Sequence, residues 1–391
     1  MSFLKEEATI FDDEEVAAWL AFDRTVGLGI GIKRIEKLFE YFGSLKDAWK
    51  STARELENVH SFDKELIAAF FEKRATIDPE KLLETCKKAK VNPYPYYHLD
   101  YPQLLRHISD PPIVLYVRGS LHPDHFNYSI GVVGTRKPTA YGKMVAKDFG
   151  IGLARRGVTV VSGLAVGVDA LAHWGAINEG GRTIGVLACG PDVCYPSSNR
   201  LLYEKLITGE HGAVVSEFFP GTKPEPWHFP ARNRIISGLA RGVVVIEAGE
   251  ESGALITAEI SYNQGHVPFA VPGRIDNPMS AGCNRLIKQQ KATLVTCVND
   301  IMLELNWQSA PNAESAPPTV VQLFGRENEI FELVTAEPVH FDHLCYKSGM
   351  ASGELSATLT MLELAGIVTR HPGDWYSRSS SLTLISSNEM P

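Results

Sequence analysis

The chain has 391 residues, 44% of them hydrophobic and 21% charged, and its 46 acidic and 38 basic residues leave a net charge of −8. That length accommodates roughly two to four domains with apolar cores of their own, and the acidic balance at first sight argues against a nucleic-acid partner. No uninterrupted apolar run of about 18 residues occurs, so neither a transmembrane helix nor a membrane partner is expected.

The first stretch is acidic (Glu6, Glu7, Asp12, Asp13, Glu14, Glu15), whereas a secretory leader needs a basic start and an apolar middle, and a cytoplasmic location is expected. After it, residues 1–84 read as a small helical domain: Leu28-Gly29-Ile30-Gly31 leads into a period-3.6 helix, Ile32 to Phe42, that stops at Gly43. A sterile-alpha-motif or helix-hairpin-helix-like bundle fits. Its glycine turn could present backbone N–H groups to a phosphate, but a packing role suits it as well. A connecting stretch from Tyr94-Pro95-Tyr96-Tyr97 to Asp110-Pro111-Pro112 then joins the helical segment to a sheet, within an extended domain of residues 85–307.

From Tyr128 onward short β-branched runs alternate with glycine-rich turns and helix-length amphipathic segments. The predicted strands are residues 130–133, 158–161, 183–187, 213–215, 243–246, 267–271 and 293–295. Predicted helices cover 141–156, 168–179, 198–208, 233–240, 255–264 and 283–290. Such alternation implies crossover connections, hence an α/β, Rossmann-like, doubly wound and mostly parallel sheet. Residues 308–318, rich in Ala, Ser and Pro, read as a linker. In residues 319–391, helices at 327–335, 341–348 and 352–364 followed by a hairpin describe a winged helix.

Four strand-turn-helix segments carry the chemistry. In Gly131-Val132-Val133-Gly134-Thr135-Arg136-Lys137 a strand turns into a helix start, where free N–H groups and the dipole suit an anion and Arg136 offers a bidentate donor. The stretch is neither a GxGxxG fingerprint nor a Walker loop, so no nicotinamide or ATP cofactor is expected. In the second, Ser162-Gly163-Leu164-Ala165-Val166-Gly167-Val168-Asp169, with His173 one helical turn on, Asp169 and His173 could form a dyad, although a capping role for Asp169 is favoured. The third, His228-Phe229-Pro230-Ala231-Arg232-Asn233-Arg234, sets two arginines around an asparagine at a predicted helix start beside an aromatic face; guanidiniums hold phosphates and the ring can stack a base. The fourth, Glu247-Ala248-Gly249-Glu250-Glu251-Ser252-Gly253, offers a backbone nest at Ser252 and Gly253, with Glu247 and Glu259 as nearby carboxylates. The six cysteines (Cys86, Cys189, Cys194, Cys283, Cys297, Cys345) form no CxxC pair, and no metal is expected. Four anion-compatible turns on one sheet edge suit an extended anionic ligand.

The GTR turn at Gly134–Arg136 with Tyr141-Gly142, SGLAVGVDALAH at 162–173, FPARNRIISGL at 229–239, SGALITA at 252–258 and VPG at 271–273 together resemble the DNA-processing protein A family, DprA or Smf. The resemblance implies a non-enzymatic protein that binds single-stranded DNA without sequence specificity, shields it, displaces single-strand-binding protein and loads the RecA recombinase during natural transformation, and that dimerises through its Rossmann-like domain. By motif it implies a DNA pocket of Arg136, Phe229, Arg232 and Arg234, extended by Lys137, Lys143, Asn233, Ser162, Gly163, Ser252 and Gly253. The competing reading is a nucleotide N-glycoside hydrolase of the lysine-decarboxylase-like group. Residues 248–255 lack the paired glycines and the Gly-Thr step of that group's PGGxGTxxE motif.

The net charge divides unevenly. Between Gly131 and Asp300, 17 basic residues face 14 acidic ones, whereas from Val320 on four face nine, and the third helix there carries Glu354 and Glu363 and no basic residue. The central domain is thus the expected DNA binder, and the winged helix a protein-contact or dimer-supporting module.

Overall fold

The computed structural model describes residues 11–209, 212–307, 325–335, 337–364 and 367–378; the expected linker at 308–318 lies outside them. The chain divides into two compact units, Met1–Ala313 and Glu314–Pro391.

The first unit opens with helices α1 (Asp13–Asp23), α2 (Ile32–Phe42), α3 (Leu45–Lys50), α4 (Ala53–Leu56), α5 (Lys64–Arg74) and α6 (Pro79–Lys88). Buried Glu15 ties α1 to α3: its carboxylate accepts from Trp19 Nε1 at 3.0 Å and from the backbone N–H groups of Leu45 at 2.8 Å and Lys46 at 3.0 Å, which satisfies the first amides of α3. Trp19, Phe22, Ile35, Leu38 and Phe70 form a core that continues into Ile113, Val114 and Tyr116, so the helical segment and the edge of the sheet share one apolar interior. At this junction Tyr116 Oη donates to Asp23 Oδ2 at 2.8 Å.

Sheet and helices then alternate as β1 (Asn92–Pro95), α7 (Gln103–Arg106), β2 (Val114–Gly119), β3 (Ser129–Val133), α8 (Ala140–Arg155), β4 (Thr159–Ser162), α9 (Val168–Asn178), β5 (Thr183–Val186), α10 (Arg200–Thr208), β6 (Gly212–Ser216), α11 (His228–Gly238), β7 (Gly242–Val245), α12 (Gly253–Asn263), β8 (Val267–Ala270), α13 (Ala281–Lys288), β9 (Thr293–Leu294) and α14 (Val298–Glu304). Among the described residues nine strands form one sheet in the order β1-β2-β6-β5-β4-β3-β7-β8-β9. From β6 to β9 neighbouring strands are parallel, and apolar clusters on both faces bury them under the helices. The fold is therefore the Rossmann-like α/β architecture that the alternation implies.

Two strands correct the sequence reading. The stretch taken as a connector begins just inside β1, and β2 comes directly after its end; both add antiparallel to the sheet, Asn92–Pro95 against Val114–Val117 and β2 against β6. Prolines at 93 and 95 made β1 read as a linker, but an edge strand tolerates the missing donors.

The second unit contains α15 (Arg326–Leu333), β10 (Val339–His340), α16 (Phe341–Ser348), α17 (Ser352–Leu364), β11 (Val368–His371) and β12 (Trp375–Arg378). Ile330, Phe331, Leu344, Leu355, Leu359, Val368 and Tyr376 form its core. β10 adds a third strand beside the expected hairpin, in the order β10-β12-β11, which completes a winged helix.

Candidate functional site

The parallel strands run in sequence from β3 to β6 on one side of β3 and from β7 to β9 on the other, so the order reverses between β3 and β7. In a doubly wound sheet that reversal splays the loops at the carboxyl ends of the two strands and opens a crevice. Here it holds a cavity of about 930 Å³ lined by the turn after β3, the first turns of α11 and the loop into α12.

Arg136 and Lys137 stand exposed on the turn after β3. The guanidinium carbon of Arg136 lies 5.4 Å from the centre of the half-buried Phe229 ring, within cation–π range. Tyr195, from the loop between β5 and α10, brings its ring centre within 5.8 Å of that of Phe229 and is itself 41% exposed. Sequence reasoning missed Tyr195, because no basic residue stands beside it in the chain and its loop does not lead straight from a glycine turn into a helix. Asn233, Ser252 and Gly253 also line the cavity, as do the exposed acids Glu250 and Glu251.

Arg232 lines the same cavity but is only 5% exposed. Its Nη1 donates to the carbonyl of Gly163 at 2.6 Å and to that of Val186. Asp169, also buried, accepts from the N–H groups of Gly163 at 3.0 Å and Ala165 at 3.4 Å and supplies the compensating charge. Burial lowers the Arg232 pKa to about 10, with Asp169 pulling it back up; burial raises the Asp169 pKa against the pull of Arg232. Gly163 is required here, since a Cβ would lie 2.5 Å from the guanidinium. Arg232 is thus a strut that ties the turn after β4 to the end of β5.

The expected position of the arginine pair also changes. Helix α11 starts at His228, not Asn233, because Pro230 sits in the first turn, where no intrahelical N–H is needed. Arg234 pairs with Glu217 and, at 3.3 Å, with Asp110, and is not among the residues lining the cavity. Lys143, exposed on α8, also lies outside the lining, and Ser162 is buried with its hydroxyl donating to the Val132 carbonyl at 2.5 Å.

The helix starts behind these turns are capped from within. Thr139 Oγ accepts the Gly142 N–H at 3.1 Å at the start of α8, and Ser252 Oγ accepts that of Ala254 at 3.4 Å at the start of α12. The carboxylate of Glu247 accepts from Thr139 N at 2.8 Å and Thr139 Oγ at 2.7 Å. Asp169 and His173 do not form the contemplated dyad: His173 Nδ1 lies 2.6 Å from Thr183 Oγ1, and burial lowers the imidazole pKa to about 3. Among the described residues no group of three or more His, Cys, Asp or Glu could hold a metal ion, and no helix is long and apolar enough to cross a membrane.

A switch-point crevice edged by Arg136, Lys137 and the ring of Phe229 defines the chain as a Rossmann-like α/β protein with its candidate site at the carboxyl edge of the sheet. The profile of the family described as DNA recombination-mediator protein A matches residues 94–306, and that of the DprA winged helix domain matches residues 314–374. The chain belongs to the DNA recombination-mediator protein A family. It is 33% identical to protein Smf of Synechocystis over 402 residues, covering 94% of this chain and 99% of that protein. With DNA processing protein DprA of Bacillus subtilis it shares 43% identity over 225 residues, 58% of this chain and 75% of the relative. The solved structure of DprA from Streptococcus pneumoniae superimposes with a TM-score of 0.63 at 33% identity, covering 76% of this chain and 99% of that one. A structure of Helicobacter pylori DprA, described for its single-stranded DNA binding mode, does so with a TM-score of 0.50 at 26% identity, covering 56% of this chain and 96% of that one.

Proposed function

We propose that the chain binds single-stranded DNA without sequence specificity, protects it in the cytoplasm, and helps load the RecA recombinase onto it during natural transformation, by binding and with no chemical step of its own. The observation that carries the binding reading is the pairing of Arg136 with Phe229 at the mouth of the switch-point cavity. Phosphate clamps and stacking faces suffice for a sequence-neutral binder, since every nucleotide offers a phosphate and a π-face. The ligand contacts centre on Arg136, Lys137, Phe229, Asn233, Ser252 and Gly253; Arg232 lines the cavity, held from behind by the carbonyl of Gly163, which is itself outside the lining.

Membership of a recombination-mediator family supports RecA and single-strand-binding protein as partners. Tyr262, exposed on α12 and absent from the cavity lining, supports a homodimer through the Rossmann-like unit. The binding reading is tested by fluorescence anisotropy of labelled oligothymidylate and of a duplex of equal length across a salt series. Preference for the single strand, with affinity falling as salt rises, is expected; equal or absent binding rejects the proposal.

A further inference from the structure

We infer that Glu247 is a positioning residue that sets the Arg136–Lys137 turn for phosphate contact; this rests on the single-stranded DNA reading above. Glu247 lies two residues beyond β7 and is 2% exposed. Its backbone carbonyl accepts the Thr135 N–H at 2.7 Å, and its carboxylate accepts both the N–H and the hydroxyl of Thr139, at 2.8 and 2.7 Å. The residue just before Arg136 and the residue two after Lys137 are therefore held by one side chain and its own backbone. Within the turn, the Lys137 N–H donates to Thr135 Oγ at 3.2 Å.

The carboxylate fits because position 142 is glycine: a Cβ there would lie 2.2 Å from Glu247 Oε2. It thus occupies the start of α8, where the sequence alone offers an anion seat to a ligand. Two effects on DNA then oppose each other. A buried negative charge beneath a cationic turn repels phosphate, whereas the clamp fixes two flexible cations in the geometry they use and so reduces the ordering cost of binding. The inference is that the clamp outweighs the repulsion.

The sign of a substitution decides between the two. Oligothymidylate affinity is measured across a salt series for the full chain, for Glu247→Ala and for Glu247→Gln, alone and in a background carrying Arg136→Ala and Lys137→Ala. The Ala variant is expected to bind roughly tenfold more weakly, with the slope of log K against log salt flattened by about 0.7 for each phosphate that the turn no longer engages. The Gln variant keeps an acceptor for the Thr139 N–H and can donate to its hydroxyl, so it is expected to restore affinity and slope. In the doubly substituted background Glu247→Ala is expected to cost less than about twofold, because coupled residues are non-additive.

Unchanged or tighter binding by Glu247→Ala, weaker binding at an unchanged slope, or full additivity overturns the inference. Should Glu247→Ala not fold, Thr139→Ala removes the hydroxyl partner at the modest cost of one helix cap, and an unchanged slope in that variant overturns the inference equally. A wild-type chain that does not bind oligothymidylate rejects the binding reading itself, whereas one that binds while Glu247→Ala binds equally well rejects only the clamp.

Discussion

The Arg136 guanidinium stands over the Phe229 ring, its carbon 5.4 Å from the ring centre. The two residues come from the turn after β3 and the start of α11, and only the reversal of strand order between β3 and β7 brings those segments together. Arg136→Ala is expected to weaken oligothymidylate binding about tenfold, the equivalent of about 1.4 kcal/mol. Because Arg136 is exposed, the melting temperature of the variant should match the wild type within a degree or so. Unchanged affinity in an anisotropy titration at moderate salt removes Arg136 from the site.

Tyr195 extends the aromatic face. Stacking of one base on an aromatic side chain contributes roughly 1–3 kcal/mol, so Tyr195→Ala is expected to raise the dissociation constant at least fivefold while Tyr195→Phe leaves it near wild type. Equal affinity of all three proteins shows that the base does not reach this ring.

Arg232→Ala should act on the fold before it acts on the ligand. The substitution removes the donor to the buried Gly163 and Val186 carbonyls and the charge that offsets buried Asp169, and leaving a buried polar group unpaired costs roughly 1–3 kcal/mol. A fall of many degrees in melting temperature is expected, with any loss of binding arising from it. A variant that melts like wild type but binds poorly assigns Arg232 to ligand contact instead.

Asp23 predicts a pH dependence. Burial raises its carboxyl pKa from the usual 3.8 to about 7, with the Tyr116 hydroxyl opposing that shift. The folded state then holds the proton more tightly than the unfolded chain does, so stability is lost as pH rises from about 4 through 7. Asp23→Asn keeps an acceptor for Tyr116 and removes the charge. Its melting temperature should exceed that of wild type at pH 8 and converge with it near pH 4; a constant difference across that range contradicts the assignment.

The winged helix is expected to be dispensable for binding DNA. Its third helix, α17, carries Glu354 and Glu363 and no basic residue. A chain ending after residue 307, confirmed as folded by circular dichroism, should bind oligothymidylate within about twofold of the full protein. A tenfold loss by the folded truncation places DNA contacts in that unit.

Much of the architecture is legible locally. Helices 32–42, 341–348 and 352–364 stand at their expected bounds because apolar spacing and glycine or serine boundaries mark them. The strands after Tyr128 track their β-branched runs to within a residue or two. The features that escaped are long-range. β2 pairs antiparallel with β6, nearly a hundred residues on, and no local pattern encodes that. Arg232 looks like a phosphate clamp within its motif, yet its acceptors are carbonyls 69 and 46 residues away. Arg234 likewise reads as free until Glu217 and Asp110 are placed beside it.

The nine-stranded sheet ends on one side in Asn92-Pro93-Tyr94-Pro95, where two of four residues have no N–H, and on the other in the two residues of β9. An open sheet of this width would ordinarily invite a neighbouring chain to continue it. Here one border lacks two of its four donors and the other is two residues long, so both are poor templates for another strand, and the sheet is guarded against cross-β growth by its own borders.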